Sequence, residues 1–190
     1  MVEVSARALA AERDRLVRTP ENVSSPPELA CLTVRPAVAA ADYERRLREV
    51  LAPTLTLAAT ADFEAEELPT EDIPGWFRAV STGGEVPDEA PEFALAGRAR
   101  YQAHPGTDGP WELTDWLSRF EPGFGMRGWA WWDLTGPPGG HVLRIWVDSG
   151  TESWFAHLDL LWLAYTAGAS TVEPPRLVEC DAWAAERGSR

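Results

Sequence analysis

The segment from Gly128 to Ser149 constrains the fold of this chain more than any other. Two runs rich in tryptophan and branched residues, Gly-Trp-Ala-Trp-Trp-Asp-Leu and His-Val-Leu-Arg-Ile-Trp-Val-Asp, flank the sequence Thr-Gly-Pro-Pro-Gly-Gly. Strand-forming residues on both sides of a turn rich in glycine and proline are typical of a β-hairpin. The sequence therefore predicts a Trp-rich β-hairpin over about residues 128–149.

The two faces of this hairpin have different expected roles. With Leu134 opposite His141, the side chains of Ala130 and Trp132 lie on the face that belongs to the core. The opposite face then carries Trp129, Trp131, Arg144 and Trp146. This second face either packs beneath another layer of helices or lines a groove where aromatic rings and one arginine contact a ligand or a partner.

The rest of the chain predicts an α+β fold: a single two-layer domain, residues 1–190, in which several helices pack on a mixed or antiparallel sheet. A first helix is predicted over residues 5–18, with Ser5 as its N-cap and Pro20 closing it. Further helices are predicted from about Tyr43 to Pro53, after Thr70 with Glu71 and Asp72 in the first turn, and over residues 110–120. The last is predicted over residues 149–167, with Gly168 in the left-handed position that follows it. Strands are predicted over residues 28–35, 54–60 and 93–102, with a last edge strand over residues 171–180 that Pro174 and Pro175 interrupt.

The charge balance excludes several classes of partner. The formal net charge is −13, and every basic residue is arginine. Nucleic acids and anionic membranes require basic patches, so neither is an expected partner. No apolar run reaches the roughly 18 residues of a membrane span, and the N-terminus lacks the apolar core of a signal peptide. These features predict a cytoplasmic protein.

The negative charge is concentrated in a loop-rich segment, residues 62–92. It holds ten carboxylates against the single Arg78, and seven glycines and prolines interrupt it. Two interpretations remain open: a solvated acidic surface, or an electrostatic binding surface for a basic protein partner. The candidate binding residues in this segment are Glu64, Glu66, Glu67, Glu71 and Asp72.

Catalytic and metal-binding motifs are missing from the sequence. The two cysteines, Cys31 and Cys180, lack a CxxC spacing, and His104, His141 and His157 form no HExxH pair. There is also no GxSxG, no GxGxxG and, without lysine, no Walker motif. No catalytic residue, metal or cofactor is therefore predicted.

These observations favour a non-catalytic, soluble, acidic binding protein that engages a basic protein partner. Small acidic inhibitors and immunity proteins of toxin systems share this general character, although no motif here identifies such a family. The alternative is a small-ligand binder or an enzyme with an aromatic-lined pocket around the 129–146 hairpin. In that alternative Arg144 anchors an anionic group, and His141 or His157 moves protons.

Overall fold

The structure is a computed structural model that describes residues 5–18, 25–85, 90–124, 126–137 and 140–188. Within these residues, seven helices pack with one five-stranded antiparallel sheet. The predicted α+β fold class is confirmed, and the sheet is of the antiparallel kind.

The sheet is built around the first strand. The strands are β1 (Glu28–Pro36), β2 (Ala130–Thr135), β3 (Leu143–Asp148), β4 (Ala169–Val172) and β5 (Arg176–Glu179). Their order is β2-β3-β1-β4, and β5 also pairs with β1. The last two strands therefore share one edge of β1. Pro174 and Pro175 separate them, as predicted for an interrupted edge strand.

The helices are α1 (Ala6–Val17), α2 (Ala40–Thr60), α3 (Gly75–Val80), α4 (Glu92–Gln102), α5 (Leu113–Ser118), α6 (Leu158–Thr166) and α7 (Cys180–Gly188). Ser5 caps α1 as predicted, because its Oγ accepts a hydrogen bond from Ala8 N at 3.2 Å. Pro20, which was expected to close this helix, lies outside the described residues. At the other end of the chain, Gly168 follows α6 with φ +119°, the predicted left-handed position. Helices α5 and α6 begin later than predicted, and α7 was not predicted.

The prediction that Pro53 ends the second helix, with a strand from Thr54 to Thr60, is wrong. Helix α2 continues through Pro53 to Thr60. A proline inside a helix costs about 3 kcal/mol, but the buried face continues beyond it with Leu55 and Ala58. Each buried leucine contributes about 1.5–3 kcal/mol. Packing of the second half of the helix therefore offsets the cost of Pro53.

The strand predicted over residues 93–102 is also wrong, because this segment forms α4. Its buried residues, Ala94, Gly97, Arg98 and Tyr101, lie three and four positions apart, as on one face of a helix. Gly97 lies directly against α6: a Cβ atom there would stand 2.0 Å from the carbonyl oxygen of Tyr165. The absence of a side chain at Gly97 therefore lets the backbones of α4 and α6 pack closely.

The predicted hairpin exists, but the pairing of Leu134 with His141 is wrong. The observed pairs are Ala130 with Asp148, Trp131 with Val147, Asp133 with Trp146, Leu134 with Ile145 and Thr135 with Arg144. The register shifts between Trp131 and Asp133, so Trp132 is an extra residue in a bulge. Part of the connecting loop, residues 138–139, lies outside the described residues.

The bulge decides which tryptophan enters which core. Trp131 joins the main hydrophobic core on one face of the sheet, together with α2, α4 and α6. Trp132 joins a smaller cluster on the other face, with Leu29, Trp146, Cys180 and Trp183. Helix α7 contributes Cys180 and Trp183, so it covers the face of the sheet opposite the main core. Among the described helices, none is both long enough and apolar enough to cross a membrane.

Candidate functional site

The three tryptophans predicted to bind a partner are buried. Trp129, Trp131 and Trp146 are 0%, 1% and 2% exposed. The indole N–H of Trp129 donates to Asp159 Oδ1 at 3.0 Å, and that of Trp146 donates to Thr135 Oγ1 at 2.7 Å. The predicted grouping of these residues on one face is wrong, because the bulge at Trp132 separates them: Trp129 and Trp131 lie in the main core, whereas Trp146 lies in the smaller cluster beneath α7. These side chains are core residues in this structure.

Helix α7 also engages Arg144, the fourth residue of that set. Arg144 Nη1 forms an ion pair with Glu186 Oε1 at 2.7 Å, and its side chain is 40% exposed. Asp133 holds the same helix, because its Oδ2 accepts hydrogen bonds from Trp183 Nε1 at 2.9 Å and Arg187 Nη1 at 2.6 Å. The surface beside Arg144 therefore carries a docked helix where the sequence suggested an aromatic-lined pocket.

The five candidate acidic residues lie together on an exposed loop. Glu64, Glu66, Glu67, Glu71 and Asp72 are all exposed, between the end of α2 and the start of α3. The loop is held to the main core by Phe63 and Leu68, which pack against it, and by Ile73, which is buried in it; within the loop, Glu64 N donates to Asp62 Oδ1 at 3.0 Å. We call residues 62–72 the acidic loop.

The charges of the acidic loop are uncompensated within the described part of the chain. Among the described residues, no arginine lies within ion-pair distance of its carboxylates. Glu71 and Asp72 precede α3, which begins at Gly75, so they do not occupy its first turn as expected. Asp88 and Glu89, also counted in the acidic segment, lie outside the described residues.

A second feature is a groove of about 630 Å³ between the loop that follows α4, helix α5 and the segment before α6. We call it the aromatic groove. The side chains that give it chemical character are His104, Asp108, Trp111, Glu112, Asp115, Arg119, Trp154, Phe155 and His157. These residues come from two parts of the chain that are separated by the hairpin, so no local sequence motif predicts the groove.

Trp154 is the most exposed large apolar side chain of the groove, at 88%. The segment that carries it is constrained: Asp148 Oδ1 accepts from Gly150 N at 2.8 Å, and Ser149 Oγ donates to Glu152 O at 2.9 Å. Between these contacts Thr151 adopts φ +65°, which is rare for a branched residue. The backbone is thus held in a costly conformation next to an indole that it presents to solvent.

The carboxylates of the groove outnumber its available cations. Asp108, Glu112 and Asp115 are exposed, whereas the only described arginine of the groove, Arg119, faces a buried carboxylate. Its Nε lies 3.6 Å from Asp159 Oδ2, too long for a hydrogen bond but close enough for charge attraction. Burial raises the pKa of Asp159, and hydrogen bonding to Trp129 and the charge of Arg119 oppose that shift.

The two histidines of the groove make hydrogen bonds to protein groups. His104 Nδ1 lies 2.8 Å from Tyr165 Oη, and His157 Nδ1 donates to Phe155 O at 2.8 Å. Burial lowers the pKa of His104, and the neighbouring His157 lowers it further. Both effects favour the neutral form of His104, which shares the groove with three exposed carboxylates.

Residue spacing predicts no metal or acid–base site among the three histidines and the nearby Asp133, Asp148 and Asp159. The structure brings His104 and His157 to one groove but places Asp159 beneath it, bonded to Trp129. Among the described residues, no three His, Cys, Asp or Glu side chains are grouped as metal ligands would be. Trp154 was missed because it lies in a segment predicted to be helical.

Comparisons with known proteins add no functional information about this site. Neither the protein-family models, nor the curated proteins, nor the solved structures contain a match to this chain.

Proposed function

We propose that this protein is a non-catalytic binding protein that engages a basic protein partner through the acidic loop. The observation that carries the proposal is the set of five exposed carboxylates, Glu64, Glu66, Glu67, Glu71 and Asp72, without a described cation in ion-pair distance. Clustered charges of one sign attract an opposite surface and raise its association rate by about 10- to 1,000-fold at low salt.

The anchoring of the loop favours binding over a purely solvating role. Ile73 is buried at its end, and the Asp62 carboxylate bonds the backbone of Glu64. A loop held in this way presents its carboxylates in a restricted arrangement, which reduces the entropy lost on binding. A surface that serves solubility alone needs no such restriction.

The test is affinity capture from the native cytosol at low and high salt with three baits. The first is the wild-type protein, and the second carries Glu64→Gln, Glu66→Gln, Glu67→Gln, Glu71→Gln and Asp72→Asn. The third, a control of equal net charge, carries Asp14→Asn, Glu28→Gln, Glu173→Gln, Glu179→Gln and Asp181→Asn. We expect wild type and control to retain the same basic protein at low salt and the second bait to lose it. Equal retention by all three baits contradicts the proposal.

A small-ligand binder is the second candidate function. The aromatic groove favours it, because about 630 Å³ falls within the range of roughly 300–1,000 Å³ of small-molecule pockets. This groove is distinct from the pocket expected around the hairpin. Saturable binding of a small molecule that shifts the Trp154 indole NMR signal, with equal affinity in wild type and in the acidic-loop variant, would favour this candidate.

A further inference from the structure

We infer that the aromatic groove receives an arginine side chain of the basic partner, with Trp154 and Asp115 as its main contacts. The inference rests on the proposed function and adds a second, more specific contact to it. Helix α3 links the two surfaces. Two residues separate its start from the end of the acidic loop, and the ring of its Phe77 packs against that of Trp116 on α5, with 4.8 Å between the ring centroids. Asp115 lies on α5, next to Trp116.

The charge of the groove selects a cation. Asp108, Glu112 and Asp115 are exposed at its wall, and Asp159 already faces the positive charge of Arg119 from below. An entering cation meets these three carboxylates, and Arg119, the one arginine among the described lining residues, already faces Asp159. An anionic ligand would meet the same three carboxylates and be repelled.

The aromatic side chains select a flat cation. Trp154 is 88% exposed and lines the same groove as Asp108, Glu112 and Asp115, and a planar guanidinium combines stacking on an indole with hydrogen bonds to carboxylates. The other indole, Trp111, is already engaged: its Nε1 donates to Tyr101 Oη at 2.8 Å, and the guanidinium of Arg119 lies 6.0 Å from its ring. Trp154 is therefore the indole of the groove that is open to a partner.

The exposure of Trp154 indicates that the arginine belongs to a protein. A free small cation would cover only part of an indole that projects this far from the surface. A protein surface that carries the arginine covers the rest of the ring, and burial of a tryptophan removes about 150–250 Å² from water. Tryptophan and arginine in such desolvated positions are the common hot spots of protein interfaces.

Labelled hexa-arginine, hexa-lysine and hexa-citrulline peptides test this inference by fluorescence anisotropy. Citrulline has the shape of arginine without its charge. The groove variant carries Trp154→Ala and Asp115→Asn, two exposed positions whose replacement leaves the core intact. Its control carries Val17→Ala and Asp14→Asn, an exposed apolar residue and an exposed carboxylate on α1.

We expect wild type to bind hexa-arginine more tightly than hexa-lysine and to bind hexa-citrulline not at all. The groove variant should bind hexa-arginine about tenfold more weakly and lose its preference for arginine over lysine. The acidic-loop variant should bind both cationic peptides more weakly by one common factor and keep that preference. The α1 control should match wild type.

The two proposals fail in different ways. An unchanged arginine preference in the groove variant overturns the inference, while a weakened acidic-loop variant in the same experiment still supports the proposed function. Unchanged affinities of the acidic-loop variant overturn the proposed function itself. Absence of cationic peptide binding by wild type overturns both.

Discussion

At the scale of single residues, the most consequential contact is the ion pair between Glu12 and Arg127. Both side chains are 1% exposed, and two hydrogen bonds of 3.0 and 2.5 Å join the guanidinium to the carboxylate. Glu12 Oε1 also accepts from the backbone N–H of Trp131 at 2.6 Å, next to the bulge of β2. The carboxylate of Glu12 therefore joins helix α1 both to Arg127, just before β2, and to the backbone of β2 itself.

We predict that Glu12→Gln lowers the free energy of unfolding by about 3–5 kcal/mol, because it leaves the buried charge of Arg127 uncompensated. Urea denaturation measures this loss. Asp14→Asn, an exposed change on the same helix, serves as control and should stay within about 0.5 kcal/mol of wild type. Equal unfolding curves for the two variants would show that the pair contributes little.

At the scale of elements, Gly97 sets the distance between α4 and α6. We predict that Gly97→Ala lowers the free energy of unfolding by about 1–3 kcal/mol or more. The new methyl group would clash with the carbonyl oxygen of Tyr165, which belongs to the backbone and cannot rotate away. Gly75→Ala, at the start of α3 with open space around it, should be neutral or slightly stabilising. Thermal unfolding of both variants checks the contrast, and a stable Gly97→Ala protein would refute the predicted clash.

The success of sequence reasoning also differed from element to element. The hairpin and the edge position of the last strands were predictable, because alternation, turns and prolines are local signals. The course of α2 through Pro53 was not, since it depends on burial of Leu55 and Ala58 by distant parts of the chain. The same reason explains α4, whose identity as a helix rests on its contact with α6.

The two parts of the candidate site, the acidic loop and the aromatic groove, also differ in how far the sequence predicts them. The acidic loop was identified from composition alone, because a run of carboxylates between helix breakers faces water in almost any fold. The aromatic groove was not, because Asp115 and Trp154 come together only when α5 packs beside the segment that precedes α6. The glycines and prolines around Asp108 indicate a loop but no ligand.

At the scale of the whole molecule, the acidic loop bears on stability as well as binding. Its exposed carboxylates repel one another, and a Debye length near 10 Å at 0.1 M salt sets the range of that repulsion. We predict that Glu66→Gln with Glu67→Gln raises the melting temperature slightly at low salt and has no effect at 1 M salt. A lower melting temperature at low salt would mean that these carboxylates stabilise the fold.

The docking of α7 has a further consequence for the chemistry of the chain. Both of its cysteines lie in the cluster beneath this helix: Cys180 at the start of α7, and Cys31 on β1, where burial raises the thiol pKa to about 12. A thiol reagent in solution reacts with the thiolate, which is scarce in such surroundings. Cys180 is buried and Cys31 is half-buried, so we expect both thiols to react faster when α7 leaves the sheet, and the rate of cysteine modification then reports how often this end of the molecule opens.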